Sequence, residues 1–248
     1  MTQILVTENL KKYFGSVHAV DDVSISIKEG EIISLVGPNG AGKTTLINIL
    51  SGVLKPDSGK VIFLGRNITG LPSHKIAKIG IARSFQIVQL FENLTVLDSL
   101  RSAIFSIENK SRRMFSLIEK DVHVKEEAFK ILDSIGLLHK SYVFVKELAH
   151  GERKLLDVAL ALALKPKLLL LDEPTSGVSV KERDEVMRTI KSIIEKSKIS
   201  ALIVEHDMHV VASYTERVLV MHEGKIVVDG IPEKVLSNEK VKSILLGV

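Results

Sequence analysis

Ile32-Ile33-Ser34-Leu35-Val36-Gly37-Pro38-Asn39-Gly40-Ala41-Gly42-Lys43-Thr44-Thr45 decides the fold. Its first five residues form an apolar run short enough for a buried strand. Gly37 to Thr44 then fit G-x-x-x-x-G-K-[ST], and Leu46, Ile47, Ile49 and Leu50 switch to helical spacing that stops at Gly52. Strand, glycine-rich loop and helix in that order make a phosphate cradle. The glycines let successive backbone N–H groups curl round phosphate oxygens without a Cβ in the way. A helix beginning at Lys43 adds roughly half a positive charge at its N-terminus. Lys43 reaches the β- and γ-phosphates, and the Thr44 hydroxyl suits Mg²⁺.

Outward from this loop, the pattern is strands alternating with helices. Val23, Ile25 and Ile27 alternate with polar residues, and Lys55–Gly59 reads as a turn before a short strand at Val61–Leu64. From about Leu90 to Leu164 the strand signal disappears. Residues 95–107 and 122–136 carry helical apolar spacing, and Gly151 opens a third helix. Strand signals return at Leu168–Leu171, Ala201–Val204 and Val218–Met221, with a helical pattern at 181–196 between them. The expected fold is α/β, with a largely parallel sheet interrupted by a helical insertion. Leu168-Leu169-Leu170-Leu171-Asp172-Glu173 supplies the second half of a phosphate site. An apolar strand ending in carboxylates sets Asp172 near the metal and Glu173 beside an attacking water as general base.

The 248 residues suffice for one large domain or two small ones, and 45% hydrophobic with 26% charged residues exclude wholesale disorder. Thirty-four basic minus thirty acidic side chains leave +4, spread along the chain, so no nucleic-acid groove is implied. The absence of cysteine removes thiol catalysis, disulfides and cysteine-ligated metals. Ile4–Val6 is too short for a signal-peptide core, and no uncharged apolar run approaches 18 residues. A soluble, cytoplasmic chain is expected.

With these two motifs in hand, the sequence resembles the ATPase subunits of ATP-binding-cassette (ABC) transporters over nearly its whole length. Four further features match in order: Phe14 before Gly15, Gln86 in Ser84-Phe85-Gln86, Leu148-Ala149-His150-Gly151-Glu152, and His206 after the strand Ala201–Glu205. The resemblance implies a P-loop NTPase core at 1–90 and 165–248, with an antiparallel β subdomain. Residues 91–164 are then the helical subdomain bearing the family signature. It also implies that Phe14 stacks on adenine, that Gly37 to Thr45 hold the phosphates, and that Thr44, Gln86 and Asp172 hold Mg²⁺. Glu173, His206 and Lys43 are its catalytic residues, and Ala149, Gly151 and Glu152 contact ATP on a facing subunit.

The sequence departs from the family pattern at two places. The signature usually reads Leu-Ser-Gly-Gly-Gln/Glu, whereas Ala149 lacks the hydroxyl and His150 replaces a glycine. Gly151 and the helix it opens can still offer N–H groups to an anion. Ser176-Gly177-Val178-Ser179 stands where the family has Ser-Ala/Gly-Leu-Asp, so the aspartate is missing. Both variants, with Glu205-His206-Asp207-Met208, resemble the ATPases of branched-chain amino-acid importers and their urea/amide relatives. One loop and one signature per chain imply a two-fold dimer, with itself or with a related ATPase, docked on integral membrane permeases at the inner face of the membrane. The segment Gln86 to Leu97 is the expected docking groove. Residues Glu108–Lys125 read as a solvated part of the insertion, and Ile231–Val248 as C-terminal helices. A lipid or lipopolysaccharide exporter ATPase and a soluble non-transport ABC ATPase are the competing readings.

Overall fold

The computed structural model describes residues 2–84, 92–107 and 122–246. Two sheets organise them. The first pairs β1 (Gln3–Phe14) antiparallel with β2 (Val17–Val23), with β3 (Ser26–Lys28) and with β5 (Ser58–Phe63), which in turn pairs β6 (Arg66–Asn67). This is the antiparallel β layer. The second has the order β11-β10-β4-β9-β8-β7, with β4 (Ile32–Val36), β7 (Ile81–Arg83), β8 (Leu168–Asp172), β9 (Ser200–Val204), β10 (Arg217–His222) and β11 (Lys225–Gly230). The pairs from β10 to β7 are parallel, and only β11 runs antiparallel, as a hairpin with β10. The helices are α1 (Lys43–Leu50), α2 (Ser73–Ile79), α3 (Val96–Ile107), α4 (Val122–Ser134), α5 (His150–Leu162), α6 (Val180–Ser197), α7 (Met208–Tyr214), α8 (Pro232–Ser237) and α9 (Glu239–Leu246).

The all-apolar strands are apolar because both faces of the sheet are covered. Leu168, Leu170, Leu202, Val204, Ile33 and Leu35 point into one core, shared with α1 and the antiparallel layer. Leu169, Leu171, Ala201, Ile203 and Ile32 point into the other, shared with α3 to α6. The period of two along each strand thus divides its side chains between the cores. A third, smaller core joins Val218 and Val220 of β10 to Val235 of α8 and Val241 of α9, so the C-terminal helices are packed parts of the fold. The elements expected from the sequence are present with shifted ends: β5 starts at Ser58, inside the expected turn, α4 stops at Ser134, and the third helix of the insertion starts at His150, one residue before Gly151.

Candidate nucleotide site

Parallel strands bring their C-terminal ends to one edge, and three adjacent strands do so here. Leu35 of β4 is level with Val204 of β9, which is level with Asp172 of β8. The loop after β4, the carboxylates ending β8 and the histidine after β9 therefore meet at the carboxyl edge, where open α/β sheets bind ligands. They line a cavity of about 170 Å³ formed by Asn39 to Thr45 with Glu173 and His206.

The loop's conformation depends on its glycines. Gly37 and Gly42 have φ of 155° and 105°, and a Cβ on them would lie 2.1 Å from the Met221 carbonyl oxygen and 2.0 Å from that of Ala19. Only a residue without a side chain fits between those strands. The Lys43 ammonium is buried and donates to the carbonyls of Gly37 (2.6 Å) and Pro38 (2.9 Å). Burial pushes it below the ordinary lysine range, against the opposing pull of Glu173 and Asp172. An anion in the cavity relieves that desolvation. Thr44 is exposed one residue on, with Thr45 half-buried beside it.

Glu173 and His206, predicted separately, form a pair: Nε2 of His206 donates to Oε1 of Glu173 at 3.0 Å. Glu173 sits in the left-handed region, φ 51°, which costs an ordinary residue about 1–2 kcal/mol. Its N–H donates to Val204 O (2.9 Å), and its carbonyl accepts from Ser176 N (3.1 Å) and Lys154 Nζ (3.2 Å). Beneath it, buried Glu205 accepts from Thr175 N (3.1 Å), Thr175 Oγ1 (2.7 Å) and His206 N (3.1 Å). Asp207 caps α7 through His209 N and pairs with Arg183 at 2.7 Å.

Asp172 is buried and faces Arg83 at 2.7 Å. Among the described residues no group of three or more His, Asp or Glu side chains could cage a metal ion. Asp172 and the Thr44 hydroxyl are hard oxygen donors of the kind that would hold a magnesium ion. Gln86, with Ile87 to Phe91, lies outside the described residues.

Of the signature, Ala149 and His150 are exposed, whereas Gly151 is buried against Val178 and Val186. Glu152 is engaged within the chain, accepting from Ala149 N (2.9 Å) and pairing with Lys140 (2.6 Å). His150 Nε2 donates to Ser176 O at 3.2 Å, directly over Gly177. Phe14 is exposed. Its neighbour Tyr13 is occupied, stacked on His18 at 4.2 Å and donating to Asp21 at 2.9 Å. A second cavity, about 490 Å³, adjoins the Ser16–His18 turn and shares Gly40 with the phosphate cavity.

Sequence reasoning missed Arg83, Asn48, Thr175, Glu205 and Lys154. Only Glu205 left a signal, being a charged residue that directly extends an apolar strand.

The ABC transporter family profile matches residues 20–176. The probable branched-chain amino acid transport ATP-binding protein LivG of Archaeoglobus fulgidus is 38% identical over 99% of this chain and 96% of its own length. The high-affinity branched-chain amino acid transport ATP-binding protein LivG of Escherichia coli is 34% identical over 100% and 99%. A crystal structure of the ADP conformation of an ATP-binding cassette of an ABC transporter superposes with a TM-score of 0.88, at 36% identity and full coverage of both chains. With its phosphate loop, its carboxylates and its histidine on one sheet edge, this chain belongs to the ABC transporter family as an ATP-hydrolysing, ATP-binding cassette.

Proposed function

We propose that this chain powers the import of branched-chain amino acids, or of similar small polar solutes, by hydrolysing Mg-ATP between two ATPase subunits beneath a membrane permease. The solute class rests on the relatives named above, and the chemistry on the Glu173–His206 pair at the mouth of the phosphate loop. Among the described residues no helix is long and apolar enough to cross a membrane. The antiparallel layer and core at 1–90 and 165–248 then form one subdomain, and 91–164 the other.

The phosphates lie along the N–H groups of Gly40 to Thr44, where the helix terminus and Lys43 favour negative charge. Phe14 and the adjoining cavity receive the base. Thr44 and Asp172 hold Mg²⁺, which supplies charge neutralisation at the phosphoryl oxygens when bound. Glu173 takes a proton from the attacking water. The water oxygen forms the new bond to the terminal phosphorus, and the bond to the departing diphosphate oxygen breaks with its electron pair. His206, whose Nε2–H already faces Glu173, stabilises the transferring group and fixes the carboxylate. Exposed Ala149 and His150 meet the nucleotide of the facing subunit, a second copy or a related ATPase. Loss of the terminal phosphate removes a group that touches both halves, and they part.

The Glu173→Gln variant tests this reading. It retains ATP but loses turnover, and it elutes as a stable dimer in Mg-ATP on size-exclusion chromatography. A variant that hydrolyses ATP normally and stays monomeric rules the role out.

A further inference from the structure

Arg83 ends β7 and reaches sideways across the core. Its Nη1 donates to Asn48 Oδ1 of α1 at 2.5 Å, and its Nη2 to Asp172 Oδ2 of β8 at 2.7 Å. The Arg83 and Asp172 side chains are 12% and 5% exposed, so water screens little of this contact. Asn48 stands four residues after Thr44 on α1, one turn further along the same helix face. The guanidinium therefore spans the helix that carries the Thr44 hydroxyl and the strand that carries the Asp172 carboxylate. No other described side chain hydrogen-bonds to Asp172.

We propose that Arg83 is a positioning residue for the metal pair: as a two-pronged strut it fixes where Asp172 stands relative to Thr44, and so sets the affinity for the nucleotide's Mg²⁺. A planar fork can hold two acceptors at once, which an ammonium on a flexible stem cannot. No described hydrogen bond joins Arg83 to Lys43 or to the N–H groups of Gly40 to Thr44, so on this proposal nucleotide binding without metal depends little on it. The inference rests on the proposed Mg²⁺ site.

ADP binding measured by equilibrium dialysis, in EDTA and across a MgCl₂ titration, tests it with wild type, Arg83→Gln, Arg83→Lys and Asn48→Ala, each checked for folding by circular dichroism. For Arg83→Gln, affinity in EDTA stays within about twofold of wild type, while the half-saturating Mg²⁺ concentration rises about tenfold or more, the usual effect of losing an outer-shell partner. Arg83→Lys restores the charge without the bridge and leaves most of that shift in place. Asn48→Ala, which keeps the ion pair, reproduces part of it. Full rescue by lysine with a silent Asn48→Ala overturns the strut in favour of simple charge balance. An equal loss in EDTA and in Mg²⁺ also overturns it, because the damage then lies in the fold or the phosphate loop. Wild type whose ADP affinity ignores Mg²⁺ defeats the metal site itself, whereas a Mg²⁺-dependent wild type with unchanged variants defeats only the strut.

Discussion

Replacing Gly177 by alanine isolates a contact peculiar to this chain. Gly177 has φ +77°, a region that costs an L-residue about 1–2 kcal/mol. An added Cβ would lie 2.6 Å from His150 Nε2 and 3.2 Å from its Cδ2, so the ring must swing away. Leaving, it forfeits the hydrogen bond to Ser176 O, worth about 0.5–1.5 kcal/mol net and nearer the lower figure on an exposed edge. The sum is about 2 kcal/mol for Gly177→Ala in the natural background. In a His150→Ala background only the backbone part, about 1 kcal/mol, remains. At about 2–4 °C per kcal/mol for a chain of this size, the Tm falls by about 4–8 °C in the first case and about half that in the second. Four proteins in a double-mutant cycle, followed by thermal and urea unfolding, give the coupling directly. Equal losses in both backgrounds would refute the argument, since His150 would then not occupy the space that Gly177 leaves. The family pattern admits alanine at this position. The histidine, itself a departure from the signature, adds to the backbone cost of alanine here.

Two further substitutions probe the floor of the site. Thr175→Val takes the shortest hydrogen bond from the Glu205 carboxylate, which is 3% exposed, and should cost about 1.5–3 kcal/mol; an unchanged urea midpoint contradicts it. For Asp207, burial pushes the carboxyl up, but Arg183 and the N–H groups of His209 and Val210 outweigh it, and the group lies below the ordinary aspartate range. A depressed carboxyl stabilises the fold above its unfolded value of about 3.9 and loses that contribution as pH falls through the folded value. Asp207→Asn, which keeps the helix cap, should lower the Tm near pH ~7 and converge with wild type in acid below about pH 4. A gap that stays constant across that range means the charge is not the cause.

The parts of the site that repeat a local pattern were readable. The loop after β4 needs glycines and a lysine at fixed spacing, and β8 announces itself by four leucines before Asp172. His206 came from the family resemblance, which places a histidine after β9. Its pairing with Glu173 did not, because that depends on β9 lying between β4 and β8, and strand order is absent from a linear pattern. Arg83 was hidden for the same reason, since β7 has three residues, too few to show a period, and both its partners come from elsewhere in the chain. The β11 hairpin and the short α2 and α7 gave no periodic signal. Neither Phe14 nor its neighbour Tyr13 enters the core: Tyr13 is taken by His18 and Asp21, and Phe14 is left open.

The signature segment belongs mechanically to the strand that leads into Glu173. Leu155, Leu156, Val158 and Ala159 of α5 lie in the same core as Leu169 and Leu171 of β8 and Met187 and Ile190 of α6. Close-packed side chains of that kind move together or not at all. At the exposed end of α5, His150 holds the Ser176 carbonyl and Lys154 the Glu173 carbonyl, so two residues of the signature helix grip the turn in which Glu173 is strained. A left-handed glutamate relaxes unless its neighbours over-determine it, and β9 on one side and α5 on the other do so here. The loss of the family's signature hydroxyl and loop aspartate therefore leaves a connection of a different kind. It runs inside one chain, from an exposed helix end to the backbone around Glu173, and one of its two grips is His150, at which this sequence departs from the usual signature.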